Sequence, residues 1–186
     1  MPIQESLNST QTVQGISRVR KTMALIGIAL ELKGLAQAFE RLDQLERFAQ
    51  RNALIALAGR KPELRMLVPV HPNPRIAPRI RHRLSGHPHF NLVAPMAYRE
   101  FITAAAGAAL VISDSGGIQE EVPHLGVPLL VPRSCTERPE GIATGFVRLV
   151  QVDRDTIVRE ALSMLAMPQS LPLPFDHAAP FGDGAA

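Results

Sequence analysis

Between Leu64 and Val150 short apolar runs alternate with helix-like segments, and no other feature constrains the fold of this chain as tightly. The runs are Arg65–Val70, Phe90–Val93, Ala109–Ser113, Val127–Val131 and Val147–Val150. Apolar runs of this length bounded by turn residues suit buried strands. The segments between them, Ile76–Leu84, Tyr98–Gly107, Ile118–Leu125 and Glu137–Thr144, suit helices. Asp153–Met167 closes the series as an amphipathic helix, with Ile157, Ala161, Leu162 and Leu165 on one face. Strands alternating with helices in this way predict βα units and a parallel sheet covered on both faces. The expected fold is α/β, a doubly wound, Rossmann-like parallel sheet, and nucleotides bind at the carboxyl ends of such strands.

One stretch falls at such an end. Asp114-Ser115-Gly116-Gly117-Ile118-Gln119-Glu120-Glu121 directly follows the run Ala109–Ser113. Ser115, Gly116 and Gly117 are expected at a strand-to-helix turn, ahead of a helix starting near Ile118. Two residues without side chains let a ligand approach the backbone. The first N–H groups of the helix, with the positive end of its dipole behind them, suit a phosphate. The plainer alternative is a helix start that happens to use Ser and Gly. A capping box does not support it, because the residue three after Ser115 is Ile118 rather than Glu or Gln. Glu120 reads as a favourable charge near a helix amino terminus. Glu121 reads the same way, or as an acceptor for paired ribose hydroxyls.

Further motifs follow in fixed order: Leu125-Gly126-Val127-Pro128, then Thr136-Glu137-Arg138-Pro139-Glu140. Pro69-Val70-His71-Pro72-Asn73-Pro74 lies upstream. Val147-Arg148-Leu149-Val150 and Pro180-Phe181-Gly182-Asp183-Gly184 lie downstream. In this combination the sequence resembles the non-hydrolysing UDP-N-acetylglucosamine 2-epimerase family from about Asn52 to Ala186, corresponding to the carboxyl-terminal half of a member. The resemblance implies the nucleotide-binding half of a two-domain, glycosyltransferase-B-type fold. It also implies interconversion of UDP-N-acetylglucosamine and UDP-N-acetylmannosamine, by elimination of UDP across C1 and C2 and re-addition. On this resemblance Ser115, Gly116, Gly117 and Arg138 hold UDP, Glu121 meets the ribose, and Phe101 packs against the uracil ring. From the residues alone, Arg138 reads as a surface ion pair with Glu137 or Glu140, and Phe101 equally as a core residue.

The departures from the family pattern are specific. Members open this domain with a strand followed by His-Arg-Arg-Glu, and that His contacts the diphosphate. The corresponding stretch, placed at Leu35–Gln50, has no His; the first in the chain is His71, which reads as a structural hydrogen-bonding residue. The Gln expected five residues before Phe101 is Met96. The amino-terminal domain that supplies the proton-transfer carboxylates has no counterpart, and the closing helix after Gly184 is cut short at Ala186. No residue is therefore assigned as catalytic. The implied partners are UDP or a UDP-N-acetylhexosamine and a separate amino-terminal epimerase half, with no cofactor or metal. Two rivals stand beside this reading. One is a non-catalytic UDP-sugar-binding module or idle remnant. The other is a glycosyltransferase fragment, against which the complete motif set argues.

Composition sets the remaining bounds. With 186 residues, 46% hydrophobic and 20% charged, one soluble domain is expected. We expect a disordered arm over 1–22, the nucleotide-binding domain over 23–167, and a Pro/Gly-rich tail over 168–186. Within the domain, Gln37–Gly59 reads as one or two helices. A net charge of +3 is too small to argue for nucleic acid. Arg75, Arg79, Arg81 and Arg83 lack the interleaved aromatics of a stacking surface and read as a solvated helix face. The single cysteine, Cys135, excludes an internal disulfide, fits a reducing cytoplasm, and reads as an incidental loop thiol. Arg18, Arg20 and Lys21 before Met23–Leu30 imitate a signal peptide. The apolar run is too short and is broken by Glu31 and Lys33, so it reads as a buried strand or helix rather than a membrane segment.

Overall fold

The computed structural model describes residues 23–27, 51–70, 74 and 77–167. His71, Arg75, the 1–22 arm and the 168–186 tail lie outside the described residues. The strands are β1 (Met23–Gly27), β2 (Arg65–Pro69), β3 (Phe90–Val93), β4 (Leu110–Ser113), β5 (Leu129–Pro132) and β6 (Val147–Val150). The helices are α1 (51–60), α2 (Ala77–Leu84), α3 (Tyr98–Ala106), α4 (Gly116–His124), α5 (Pro139–Ala143) and α6 (Arg154–Leu165). All strand pairs are parallel, and the sheet order is β3-β2-β1-β4-β5-β6. This is the doubly wound order, in which the direction of winding across the sheet reverses between β1 and β4.

Both faces of the sheet are covered, and the pleat divides the core. Leu110, Ile112 and Leu130 join Leu54, Leu57, Ile80, Leu84, Ile157 and Met164 in one cluster. The helices on that side are α1, α2 and α6. Val111, Leu129, Val131 and Val147 point the other way and pack with Ala105 of α3 and Val122 of α4. Alternate residues of one strand thus serve opposite cores. That is why β4, apart from Ser113 at its end, and β5 are apolar, and both are buried at every position.

The structure revises the sequence expectation at four points. The sheet gains β1, which lies at its centre between β2 and β4. The segment that imitated a signal peptide is therefore a strand. The stretch following a first strand then begins at Ile28, upstream of Leu35–Gln50; it reads Ile-Ala-Leu-Glu and also lacks His. Third, α4 begins at Gly116 rather than Ile118, so the two glycines form its first turn instead of preceding it. Finally, β5 starts at Leu129 and ends at Pro132, because Val127 and Pro128 complete the turn out of α4. That turn needs Gly126, whose φ of 64° is the left-handed conformation that ends helices. Its N–H bonds to the Pro123 carbonyl at 3.0 Å.

The last helix is fastened at both ends. Asp153 caps α6 by accepting from the Thr156 N–H at 2.8 Å. Arg148 of β6 reaches Glu160 at 2.8 Å, tying the edge strand to α6. Hydrogen bonding from Arg159, then from Arg148, holds the Glu160 carboxyl below its ordinary range against the opposing effect of burial. Because the folded value is depressed, this contribution is fully present above the unfolded glutamate pKa. It is lost as pH falls through the folded value. We expect Arg148→Ala to cost about 0.5–1 kcal/mol at neutral pH and less near pH 3, as read by urea denaturation at both pH values. An equal cost at both would assign the effect to packing of the arginine stem.

Candidate functional site

The reversal point puts the carboxyl ends of β1 and β4 side by side, with Gly27 in register with Ser113. The chain leaves β4 through a tight turn in which the Ser115 N–H donates to the Ser113 hydroxyl at 3.2 Å. Ser115 is the N-cap of α4 with extended backbone, yet its side chain makes no capping hydrogen bond. The first bond of the helix is Gln119 N–H to the Ser115 carbonyl, at 3.2 Å. The N–H groups of Gly116, Gly117 and Ile118 precede it and have no acceptor within α4. No acidic residue occupies this first turn.

The two glycines are not explained by the chain's own packing. A Cβ built on either meets no atom of the described residues within 4 Å, and neither has a positive φ. Glycine costs a helix roughly 0.5–1 kcal/mol relative to alanine. What these residues provide is open space over three outward-facing N–H groups.

Arg138 is brought to the same helix from the loop after β5. It is the N-cap residue of α5, and its Nε donates to the Glu120 carboxylate of α4. The sequence suggested Glu137 or Glu140 as its surface partners. The fold instead supplies a carboxylate 18 positions away, while one Nη1 bond goes to the Glu137 carbonyl at 3.2 Å. The Glu120 hydrogen bond, then its charge, raises the guanidinium pKa, so Arg138 remains a cation. Among the described residues its Nη2 group makes no hydrogen bond. Glu120, read from sequence as a favourable helix-end charge, orients this arginine.

The third side of the site is α3. Phe101 is half-buried and packs against the core cluster of Val111 and Val122. Tyr98, one turn earlier, is 66% exposed and was not singled out from sequence. Hydrogen bonding with the nearby Glu121 carboxylate, then burial, raises its phenol pKa. Met96 is half-buried in the loop entering α3. A second residue missed from sequence is Gln119. At 1% exposure it is buried, and its Oε1 accepts from the Thr136 hydroxyl at 2.6 Å. Its place inside a polar run gave no sign of this burial. Cys135 is exposed on the loop. Among the described residues no three His, Cys, Asp or Glu side chains converge as metal ligands would. No helix there is long and apolar enough to cross a membrane.

A doubly wound sheet with an uncapped glycine-rich helix at its reversal point defines a Rossmann-like α/β domain, resembling the carboxyl-terminal half of glycosyltransferase-B-type enzymes. The sequence profile of the UDP-N-acetylglucosamine 2-epimerase family matches residues 39–186, and the chain belongs to that family. It is 38% identical over 136 residues to the UDP-N-acetylglucosamine 2-epimerase of Escherichia coli K12, covering 73% of this chain and 36% of that protein. With the Campylobacter jejuni enzyme of the same name it is 37% identical over 135 residues, covering 73% and 35% respectively. The structure of the Neisseria meningitidis epimerase bound to UDP-GlcNAc superposes with a TM-score of 0.71 at 27% identity. That match covers 96% of this chain and 46% of that one. The chain thus spans little more than a third of the length of the curated relatives it matches.

Proposed function

We propose that this chain is the UDP-binding half of a UDP-N-acetylglucosamine 2-epimerase acting in the cytoplasm, with 23–167 as its folded domain. The observation that carries the reading is the open glycine turn of α4 at the sheet's reversal point, with a charged arginine held beside it. In this reading the N–H groups from Gly116 to Ile118 and the Ser115 hydroxyl receive the diphosphate. Arg138 lends it charge-assisted bonds through its remaining donors. Glu121 accepts from the ribose hydroxyls, sharing its carboxylate with Tyr98, and Phe101 packs against the base. Epimerisation by elimination needs support for departing UDP and a base at the sugar C2. These residues supply the first. The second falls to an amino-terminal half, on the same or a separate chain.

The alternative, a non-catalytic UDP-sugar-binding module, is favoured by one observation: Glu120 and Glu121 are engaged by Arg138 and Tyr98. Neither stands ready as a C2 base.

The test is calorimetric titration of the 186-residue chain with UDP and with uridine, beside an epimerisation assay. We expect UDP to bind and no 2-epimer to form. Arg138→Ala should lose roughly 1.5–3 kcal/mol toward UDP and little toward uridine. Deuterium appearing at C2 in heavy water would place proton transfer on this chain. Equal small losses for the two ligands would return Arg138 to the scaffold.

A further inference from the structure

The loop that carries Arg138 is tied to α4 at two points, and only one of them is the Glu120 ion pair. At the other, the Thr136 hydroxyl donates to Gln119 Oε1 at 2.6 Å, and the Thr136 hydroxyl oxygen in turn accepts the Arg138 backbone N–H at 3.0 Å. A relay therefore runs from the buried amide of Gln119, through one hydroxyl, to the main chain of Arg138. Glu120, the next residue on α4, holds the guanidinium of the same arginine. Two consecutive helix residues thus fix one side chain, one by its backbone and one by its head.

The amide itself is a poor choice for stability. Gln119 is 1% exposed, and its Nε2 donor has no partner among the described residues. Burying a polar group with an unmet donor is costly, and an apolar side chain of similar volume avoids that cost. Thr136, by contrast, is only half-buried, so its hydroxyl can turn to water if Gln119 is replaced. A buried, half-satisfied amide whose one bond goes to the arginine loop is accounted for by what that bond positions.

We propose that Gln119 and Thr136 are positioning residues for Arg138, setting the loop so that its guanidinium faces the first turn of α4. This rests on the diphosphate reading above. Neither residue need touch the ligand. Their effect is on the geometry of the one that does, and small displacements of a positioned charge are enough to lose its bonds.

Thr136→Val, Thr136→Ser, Gln119→Met and Arg138→Ala in the full chain test this, each titrated with UDP and uridine. Thr136→Val and Gln119→Met should lose UDP affinity about tenfold, keep uridine affinity, and show no further loss when combined with Arg138→Ala. Thr136→Ser, which keeps the hydroxyl, should restore UDP binding. Gln119→Met should melt no lower than the wild type, whereas a purely structural role predicts a lower melting temperature. Amide hydrogen exchange without ligand gives an independent reading, in which Thr136→Val should speed exchange at Arg138. If Arg138→Ala loses UDP selectively while Thr136→Val and Gln119→Met do not, the relay is wrong and the diphosphate reading stands. If the wild type binds no UDP, the diphosphate reading fails and the relay's functional role with it, whatever the exchange at Arg138.

Discussion

Gly116→Val is expected to abolish measurable UDP binding while the domain melts within a few degrees of the wild type. Gly116 is the first residue of α4, and a Cβ there meets no atom of the described residues within 4 Å. The added side chain therefore costs no packing. Valine is also a slightly better helix residue than glycine, so the fold has no reason to suffer. Helical Cβ atoms lean toward the amino terminus, which in α4 is the direction from which a phosphate reaches the free N–H groups. The branched methyls would stand in that path. Each charge-assisted bond lost is worth roughly 1.5–3 kcal/mol, at least tenfold in affinity. Titration with UDP beside a thermal melt decides the matter. A folded variant with unchanged affinity would put the phosphate elsewhere and remove the central support for the proposed function.

The other large effect is expected in the core, at Leu110. It is fully buried, lies on β4 at the middle of the sheet, and pairs in register with Ala24 of β1. Its side chain belongs to the cluster that includes Leu54, Leu57 and Leu130. Leu110→Ala should cost about 2–5 kcal/mol, a large share of the roughly 5–15 kcal/mol that holds a domain together. The melting temperature should fall by roughly 4–20 °C. UDP affinity at a temperature where the variant stays folded should be preserved, because Leu110 lies at the opposite end of β4 from Ser113. A loss below about 1 kcal/mol would mean that the two faces of the sheet repack around the gap.

The fold class followed from local pattern alone. Apolar runs from Arg65 to Val150, separated by helix-length segments, leave few alternatives to a parallel sheet covered on both faces, and the structure has that sheet. The glycine turn was also visible, since residues 116 and 117 lie two positions past an apolar run, after Asp114 and Ser115. The start of α4 was harder to read, because glycine is a weak helix former. Ser115 acts as its N-cap by backbone conformation, without a side-chain bond.

What sequence order could not give is adjacency between distant segments. Met23–Gly27 is a short run beside a basic cluster, and nothing local says whether it is a strand. Its parallel pairing with both β2 and β4 makes it the centre of the sheet and creates the reversal point beside which the site sits. The same holds for Arg138, whose sequence neighbours Glu137 and Glu140 look like its partners. A guanidinium pairs with the carboxylate that the fold brings within reach, and α4 brings Glu120. Gln119 is the clearest case. In sequence it is one polar residue among several, and its burial is decided by packing between α4 and the Thr136 loop. The sequence by itself determined the alternation of strand and helix and the chemistry at one helix start, because both depend on residues a few positions apart. Only the tertiary structure decided which charges meet and which amide is buried, because those depend on contacts between segments far apart in the chain.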